Sequence, residues 1–227
     1  MALGCFNDIA QGLIKLAERP LKPVRYITHQ QERHMVNFSN FRMLNPEMAD
    51  ITRELLDEVY QRHSPFMSFM HTWMAFNGWM ESVTGGGPDA AMIDALAQDR
   101  RLIETYERLI GDASDFTKSV AAFSTHWPVL SVKDVRKKLG HDAFGRLSRA
   151  DLLERCRAGG VRLQPGGWIA GALPDWPQLL RTIYQIRCNL FHGAKSPENL
   201  RDRELVGHAN IVLRQFIGGS GCFDWFD

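Results

Sequence analysis

The chain has 227 residues, of which 44% are hydrophobic and 23% are charged, the proportions of a globular protein rather than a disordered one. Its 27 lysines and arginines nearly balance 26 acidic residues, so the net charge of +1 excludes a global field that attracts nucleic acid. Any such contact therefore requires a local patch. The length predicts one domain, or one domain with an extension.

The four cysteines are scattered without metal-ligand spacing, which predicts free thiols and neither a metal nor another cofactor. The N-terminus lacks the pattern of a signal peptide, and no run of residues is long and apolar enough for a membrane helix. The expected location is the cytoplasm, with no membrane contact.

Residues 1–64 are predicted to form an N-terminal helical extension packed on the core. Apolar spacing predicts a helix over residues 1–19, which Pro20 ends. Residues 24–44 are compatible with either a loop or a short strand. Pro46 then opens a second amphipathic helix over residues 47–62.

The most apolar stretch, residues 66–80, predicts a core helix, because polar residues interrupt it too often for a membrane span. Its aromatic residues Trp73, Phe76 and Trp79 have helical spacing, which favours burial over stacking on bases. The glycines at 85–87 lack the lysine and hydroxyl residue of a phosphate-binding loop, so they indicate a flexible break.

Apolar periodicity continues through residues 89–110, as one helix or two, and through residues 113–123. Residues 129–171 are the most irregular and basic part of the chain. Ser148 is a candidate cap for a short helix over 149–157, and residues 161–168 suggest a loop or a small hairpin. This basic run is typical of a solvated face, but it is also the best candidate for tracking phosphates, with Arg136, Lys137 and Lys138.

Residues 175–217 predict two antiparallel amphipathic helices joined by a short turn. Asp175 is the expected N-cap of the first helix, and Ser196 is the expected N-cap of the second. After them, the glycines of residues 218–227 predict a flexible C-terminal tail, although its aromatic residues favour burial.

The first of these helices ends with Arg187, Asn189 and His192. A histidine can take the proton of a ribose 2′-hydroxyl or protonate a leaving oxygen, and an arginine can grip the phosphate and stabilise the transition state. Asn189 lies about one turn before His192 and can orient it or contact a phosphate. The competing interpretation is a surface ion pair and a cation at the end of a helix dipole.

A separation of five residues places Arg187 and His192 roughly 140° apart on an ideal helix. The length of the arginine side chain and a loosened last turn could bring the two together within one chain. A second copy of the same helix across a two-fold axis would do so more easily, and would place two histidines in one cleft, one as base and one as acid. The spacing therefore favours a homodimer through the Arg187–His192 helix.

The stretch IRCNLFHGAKSPENLRDRELVGHANIVL resembles the signature of the HEPN superfamily, and the helix with Trp73, Phe76 and Asn77 is similar to the helix upstream of it in that family. The resemblance covers residues 65–217 and implies an all-α, HEPN-like helical bundle with an irregular basic insertion before the last two core helices. Many members are metal-independent endoribonucleases of toxin–antitoxin or phage-defence systems. In many active members the residue after the arginine is polar, whereas here it is Cys188.

The sequence and the resemblance together predict an endoribonuclease that cuts RNA by 2′-hydroxyl attack, with Arg187, Asn189 and His192 as catalytic residues. Lys195 and the basic residues 136–138 are the expected RNA contacts. The expected partners are RNA, a second copy of the chain, and a cognate antitoxin or defence protein. The alternative is a non-catalytic module that binds nucleic acid, a nucleotide or a protein, or a regulatory component in which the Arg187–His192 pair is only structural.

Overall fold

The computed structural model describes residues 35–44, 46–58, 64–111, 114–191, 196 and 198–227. The expected first helix, over residues 1–19, lies outside the described residues. Within them the fold is all-α, as predicted, with a single pair of two-residue strands. In this part of the chain no helix combines the length and the apolar character needed to cross a membrane.

The elements follow one another in this order: α1 (Asn40–Met43), α2 (Pro46–Glu58), α3 (Pro65–Thr84), α4 (Asp89–Gln98), α5 (Arg100–Gly111), α6 (Asp115–Ser124), β1 (Val129–Leu130), α7 (Val132–Leu139), α8 (Ala143–Arg146), α9 (Arg149–Ala158), β2 (Leu163–Gln164), α10 (Trp176–Phe191), α11 (Leu200–Ser220) and a 3₁₀ turn (Cys222–Asp224).

The helix α3 is the centre of the main core. Ser64 caps its first turn by accepting a hydrogen bond from the backbone of Met67, and Gly85 ends it at a positive φ of 77°. Trp73, Phe76 and Trp79 are at most 1% exposed, so the prediction that they are core residues is confirmed. The stripe of apolar side chains holds α3 between α2 and α11.

Asp99 divides the stretch from 89 to 110 into two helices. Its backbone is extended, and its carboxylate accepts a hydrogen bond from the backbone of Leu102 at 2.9 Å. Asp99 thus ends α4 with its extended backbone and caps α5 with its side chain, which gives a sharp turn between the two helices. The turn lets α4 pack on α10 while α5 continues towards α6 and α11.

The predicted N-cap of α10 is confirmed, and that of α11 is wrong. Asp175 accepts from the backbone of Gln178 at 2.7 Å, and the Gln178 side chain accepts from the backbone of Asp175 at 3.2 Å, which is a reciprocal capping box. In α11 the cap is Asn199, whose side chain accepts from the backbone of Asp202 at 3.1 Å. Ser196 instead caps the preceding turn through Glu198, since its hydroxyl lies one turn too early.

Residues 131–162 form a small lobe, the basic lobe, between the two strands. β1 pairs antiparallel with β2, with Val129 opposite Gln164 and Leu130 opposite Leu163. Residues 163–164 therefore do not form a local hairpin, because their partner strand lies on the far side of three helices. The lobe has a separate hydrophobic cluster, made of Leu130 of β1 together with Val135, Ala143, Leu152, Cys156 and Val161.

The C-terminal residues differ from the predicted flexible tail. α11 continues through the glycines to Ser220, and Cys222 is buried in the main cluster. Trp225 packs edge-on against Phe38, with ring centroids 5.0 Å apart, and the Asp227 carboxylate accepts from the backbone of Phe38. Burial of the aromatic side chains outweighs the freedom of the glycines, and it brings both ends of the described chain into one core.

Candidate functional site

The side chain of Arg187 lies between α10 and α4 and is mostly buried. Its guanidinium is 2.9 Å from the Asp89 carboxylate and lies 5.8 Å from the ring centre of Trp73 and 4.5 Å from that of Phe191. Positive φ angles at the three glycines before Pro88 turn the chain back so that Asp89 begins α4 at this position. Arg181 and Asp94 make a second ion pair between the same two helices, at 3.0 Å.

Asn189 lies on the opposite side of α10, since two residues are roughly 200° apart on a helix. Its carbonyl oxygen accepts from the backbone of Val132 and from the side chain of Gln185, both at 3.1 Å, and its NH₂ group donates to the Leu130 carbonyl at 2.8 Å. The side chain is 3% exposed. Asn189 therefore ties α10 to the point where β1 enters the basic lobe.

A groove of about 540 Å³ opens beside Asn189, between the basic lobe and the start of α11. Arg136, Arg149 and Arg201 line it together with His141, and Asp202 is the only carboxylate among the described lining residues. Because the described lining residues include three arginines and one carboxylate, the groove is positively charged, although the whole chain is almost neutral.

The structure divides the predicted site residues between different surfaces. Arg136 lines the groove, whereas Lys137 is exposed outside its lining, and Lys138 donates a hydrogen bond to the carbonyl of Gly160. His192 and Lys195 lie outside the described residues. On the two sides of this segment in the sequence, Asn189 and Ser196 line the groove.

Sequence reasoning did not single out Arg149 and Arg201 as site residues, although a signal was present. Arg149 is the first residue of α9 and Arg201 is the second of α11, so both cations lie at the positive end of a helix dipole. That position disfavours a cation by itself and favours an anion bound beside it. Phe144 was also missed, and its ring is 41% exposed in the groove lining.

Within the described ranges no group of three or more histidine, cysteine or carboxylate side chains is arranged to hold a metal ion. Comparisons with protein-family models, with curated proteins and with solved structures find no match for this chain. The HEPN resemblance therefore stays a prediction from the residues themselves.

Proposed function

We propose that this protein is a metal-independent endoribonuclease of the HEPN type, with its substrate lying in the arginine-lined groove. The observation that carries the proposal is the place of the groove in the chain. Asn189 and Ser196 line it, and the segment with His192 joins them. The candidate acid or base thus lies, in the sequence, between two residues that line this basic groove.

In the proposed reaction the ribose 2′-oxygen attacks the neighbouring phosphorus while its proton passes to a histidine. The bond from phosphorus to the 5′-oxygen then breaks, and the leaving oxygen takes up a proton from a second acid. The products are a 2′,3′-cyclic phosphate and a 5′-hydroxyl. His192 is the proposed acid or base. The Arg187 side chain faces α4 and not the groove, so the proposed stabiliser of the charged transition state is Arg187 of the second copy in the dimer. Asn189 positions the end of α10, because two of its hydrogen bonds join this end to Leu130 of β1 and Val132 of α7.

A homodimer through the end of α10 is part of the proposal, because it would supply two histidines to one cleft. The Phe191 ring lies against Arg187 and is 48% exposed, so apolar surface is available for a second copy beside the motif. A cytoplasmic toxin–antitoxin or phage-defence setting, with a cognate antitoxin or defence protein as partner, is proposed on the HEPN resemblance alone.

The test incubates cellular RNA with wild type, His192→Ala, Arg187→Ala and Arg181→Ala in EDTA. Arg181→Ala is the matched control, because it removes the neighbouring ion pair of the same two helices. We expect cleavage by wild type and Arg181→Ala. We expect a loss of at least about a hundredfold in His192→Ala, the usual contribution of a general acid or base, and in Arg187→Ala, the usual contribution of a group that stabilises a charged transition state. Light scattering on the same samples reports the dimer, and circular dichroism reports folding. Cleavage that vanishes with EDTA would contradict the proposal.

A second candidate is a non-catalytic binding module, which the contact between Arg187 and Asp89 favours. An arginine that is ion-paired and enclosed by two aromatic rings can be structural only. Asp89→Asn separates the two functions. It releases the guanidinium, so a catalytic Arg187 would keep or increase cleavage. If neither wild type nor Asp89→Asn cuts RNA, and Arg187→Ala and Asp89→Asn are equally destabilised, the module is the correct interpretation.

A further inference from the structure

Arg149, from the basic lobe, and Arg201, from the start of α11, both line the groove and are held by the same corner of the chain. Arg149 donates to the Pro128 carbonyl at 2.8 Å, and Arg201 donates to the His126 carbonyl at 2.6 Å. Both acceptors belong to the corner between α6 and β1. A guanidinium has five N–H donors, so each arginine is held in place with donors to spare for a ligand in the groove.

Burial disfavours the charged form of both guanidinium groups. Burial lowers the pKa of Arg149 to about 10, and the charge of Arg201 contributes to that shift. Burial also lowers the pKa of Arg201, against the opposing effect of Asp202. The Asp202 carboxylate in turn accepts a hydrogen bond from the backbone of Ser196 at 3.1 Å. A bound anion would compensate both arginines, and the guanidinium fork matches a phosphate oxygen pair in geometry.

The same groove has an aromatic surface. Phe144 lines it beside Leu147, and its side chain is among the exposed large hydrophobic groups of the described chain. An exposed aromatic ring next to cations that grip phosphates is the arrangement by which proteins bind single strands, because every base has a flat face that stacks on such a ring.

We infer that the groove binds single-stranded RNA, with backbone phosphates on Arg149 and Arg201 and an unpaired base on Phe144. The inference rests on the proposed function, because it takes RNA as the ligand. It adds that the RNA is single-stranded and names the residues that bind it. A base inside a duplex is stacked on both sides and has no free face for Phe144, so the groove discriminates against paired RNA.

The first experiment measures fluorescence anisotropy with a labelled 2′-O-methyl RNA of about twelve nucleotides, a length within the usual single-strand site sizes. The same strand annealed to its complement is the duplex probe. We expect the single strand to bind at least tenfold more tightly than the duplex at equal salt, as a groove that needs one free base face requires. Equal binding of both probes would overturn the inference in favour of a general phosphate surface.

The phosphate contacts are tested by the dependence of affinity on salt. Arg149→Gln and Arg201→Gln are each expected to weaken binding and to lower the salt slope by about 1. The matched controls are Arg155→Gln and Arg203→Gln, which remove exposed arginines of the same two helices outside the groove lining. Excess inorganic phosphate is expected to compete with the strand in wild type more strongly than in the two groove variants. Unchanged slopes in both groove variants would overturn the assignment.

The stacking contact is tested by Phe144→Ala, with Phe226→Ala as an exposed aromatic control outside the groove lining. We expect Phe144→Ala to weaken single-strand binding about fivefold or more, the effect of losing one stacked base, and to leave the salt slope unchanged. Arg149→Gln and Arg201→Gln could disturb the corner at residues 126–128, so Arg136→Gln is a third groove variant. Among the hydrogen bonds of the described residues, those to this corner come from Arg149 and Arg201 and not from Arg136. Arg136→Gln should lower the slope while the fold is intact by circular dichroism.

The two proposals are tested separately. A 2′-O-methyl strand lacks the attacking hydroxyl, so the protein can bind it but cannot cut it. If wild type holds this strand through the groove residues but leaves ordinary RNA intact, the ribonuclease proposal fails and the inference stands. If the groove variants cut ordinary RNA and bind the methylated strand as wild type does, the inference fails and the ribonuclease stands.

Discussion

The main helical core and the basic lobe are stabilised very differently. The main core buries large aromatic side chains, among them Trp73, Trp79 and Trp176, each at most 1% exposed. The lobe cluster has six buried residues, none larger than leucine, and is joined to the core by β1, β2 and the Asn189 amide. Buried area sets the free energy of unfolding, so the core is the stable scaffold and the lobe depends on its junction.

The two regions also differ in charge. Residues 131–162 contain nine lysines and arginines against four acidic residues, while the chain as a whole is almost neutral. The groove lies where this basic lobe meets the start of α11. A scaffold with large buried aromatic side chains thus presents a charged lobe with a small buried cluster, which is a common division where a loop or lobe carries the function.

The largest effect is expected from Trp176→Ala in the main core. Trp176 stacks on Phe216 with ring centres 4.2 Å apart, and its indole N–H donates to the Leu96 carbonyl at 2.9 Å. The substitution leaves a cavity and an unpaired carbonyl, which should lower the free energy of unfolding by about 3–5 kcal/mol. Urea denaturation followed by tryptophan fluorescence measures this, since all six tryptophans lie outside residues 131–162.

Leu152→Ala is the counterpart of that variant in the lobe. It should destabilise the lobe by about 2 kcal/mol, the lower end for a buried leucine. Because the small buried cluster of the lobe is expected to open while the core stays folded, the fluorescence midpoint should hardly move, and amide exchange should rise in residues 131–162. A shift of the fluorescence midpoint as large as that of Trp176→Ala would show that core and lobe unfold as one unit.

An intermediate effect is expected at the junction, from Asn189→Ala. The change leaves the Val132 N–H and the Leu130 carbonyl without their partner, at a cost of about 1–3 kcal/mol. Hydrogen exchange should therefore increase in the lobe. The matched control is Asn210→Ala, a buried amide that accepts from Thr72 at 2.7 Å between α3 and α11 and should affect exchange in the main core instead. Identical exchange patterns for the two variants would show that the core and the lobe do not open independently.

The smallest effect is a pH dependence at the corner behind the groove. Burial, and the nearby His208, lower the pKa of His126 below its usual value of 6.5, with Glu204 opposing and Arg201 and Arg149 adding to the shift. A histidine whose folded-state pKa is depressed stabilises the fold above the unfolded pKa, and that contribution is lost as the pH falls below it. Unfolding at about pH 7.5 and about pH 5.5 should differ less in His126→Gln than in wild type. An exposed control, His141→Gln, should keep the wild-type difference.

Local chemistry was sufficient to predict the helices and several of their ends. The capping box of Asp175 and Gln178, the cap at Ser148 and the buried face with Trp73 depend on residues within a few positions of each other. The cap of α11 was predicted wrongly because Ser196 and Asn199 are both good cap residues, and the path of the turn decides between them.

The candidate site could be predicted only in part. The sequence predicts functional residues at the end of α10 and in the basic segment, and Arg136 of that segment lines the groove. The sequence alone does not predict that Arg187 faces Asp89 while Asn189 faces the basic lobe. Helical periodicity places those two side chains on different sides, but the identity of the element on each side is a property of packing.

The sequence by itself determined an all-α chain with an aromatic core helix and a basic segment, because hydrophobic periodicity and capping act over short distances. Only the tertiary structure decided that β1 and β2 close the basic lobe, and that Arg149 and Arg201 line one groove. These contacts join residues far apart in the chain, and their free energy depends on burial and on the loss of water around charges, which no local pattern records.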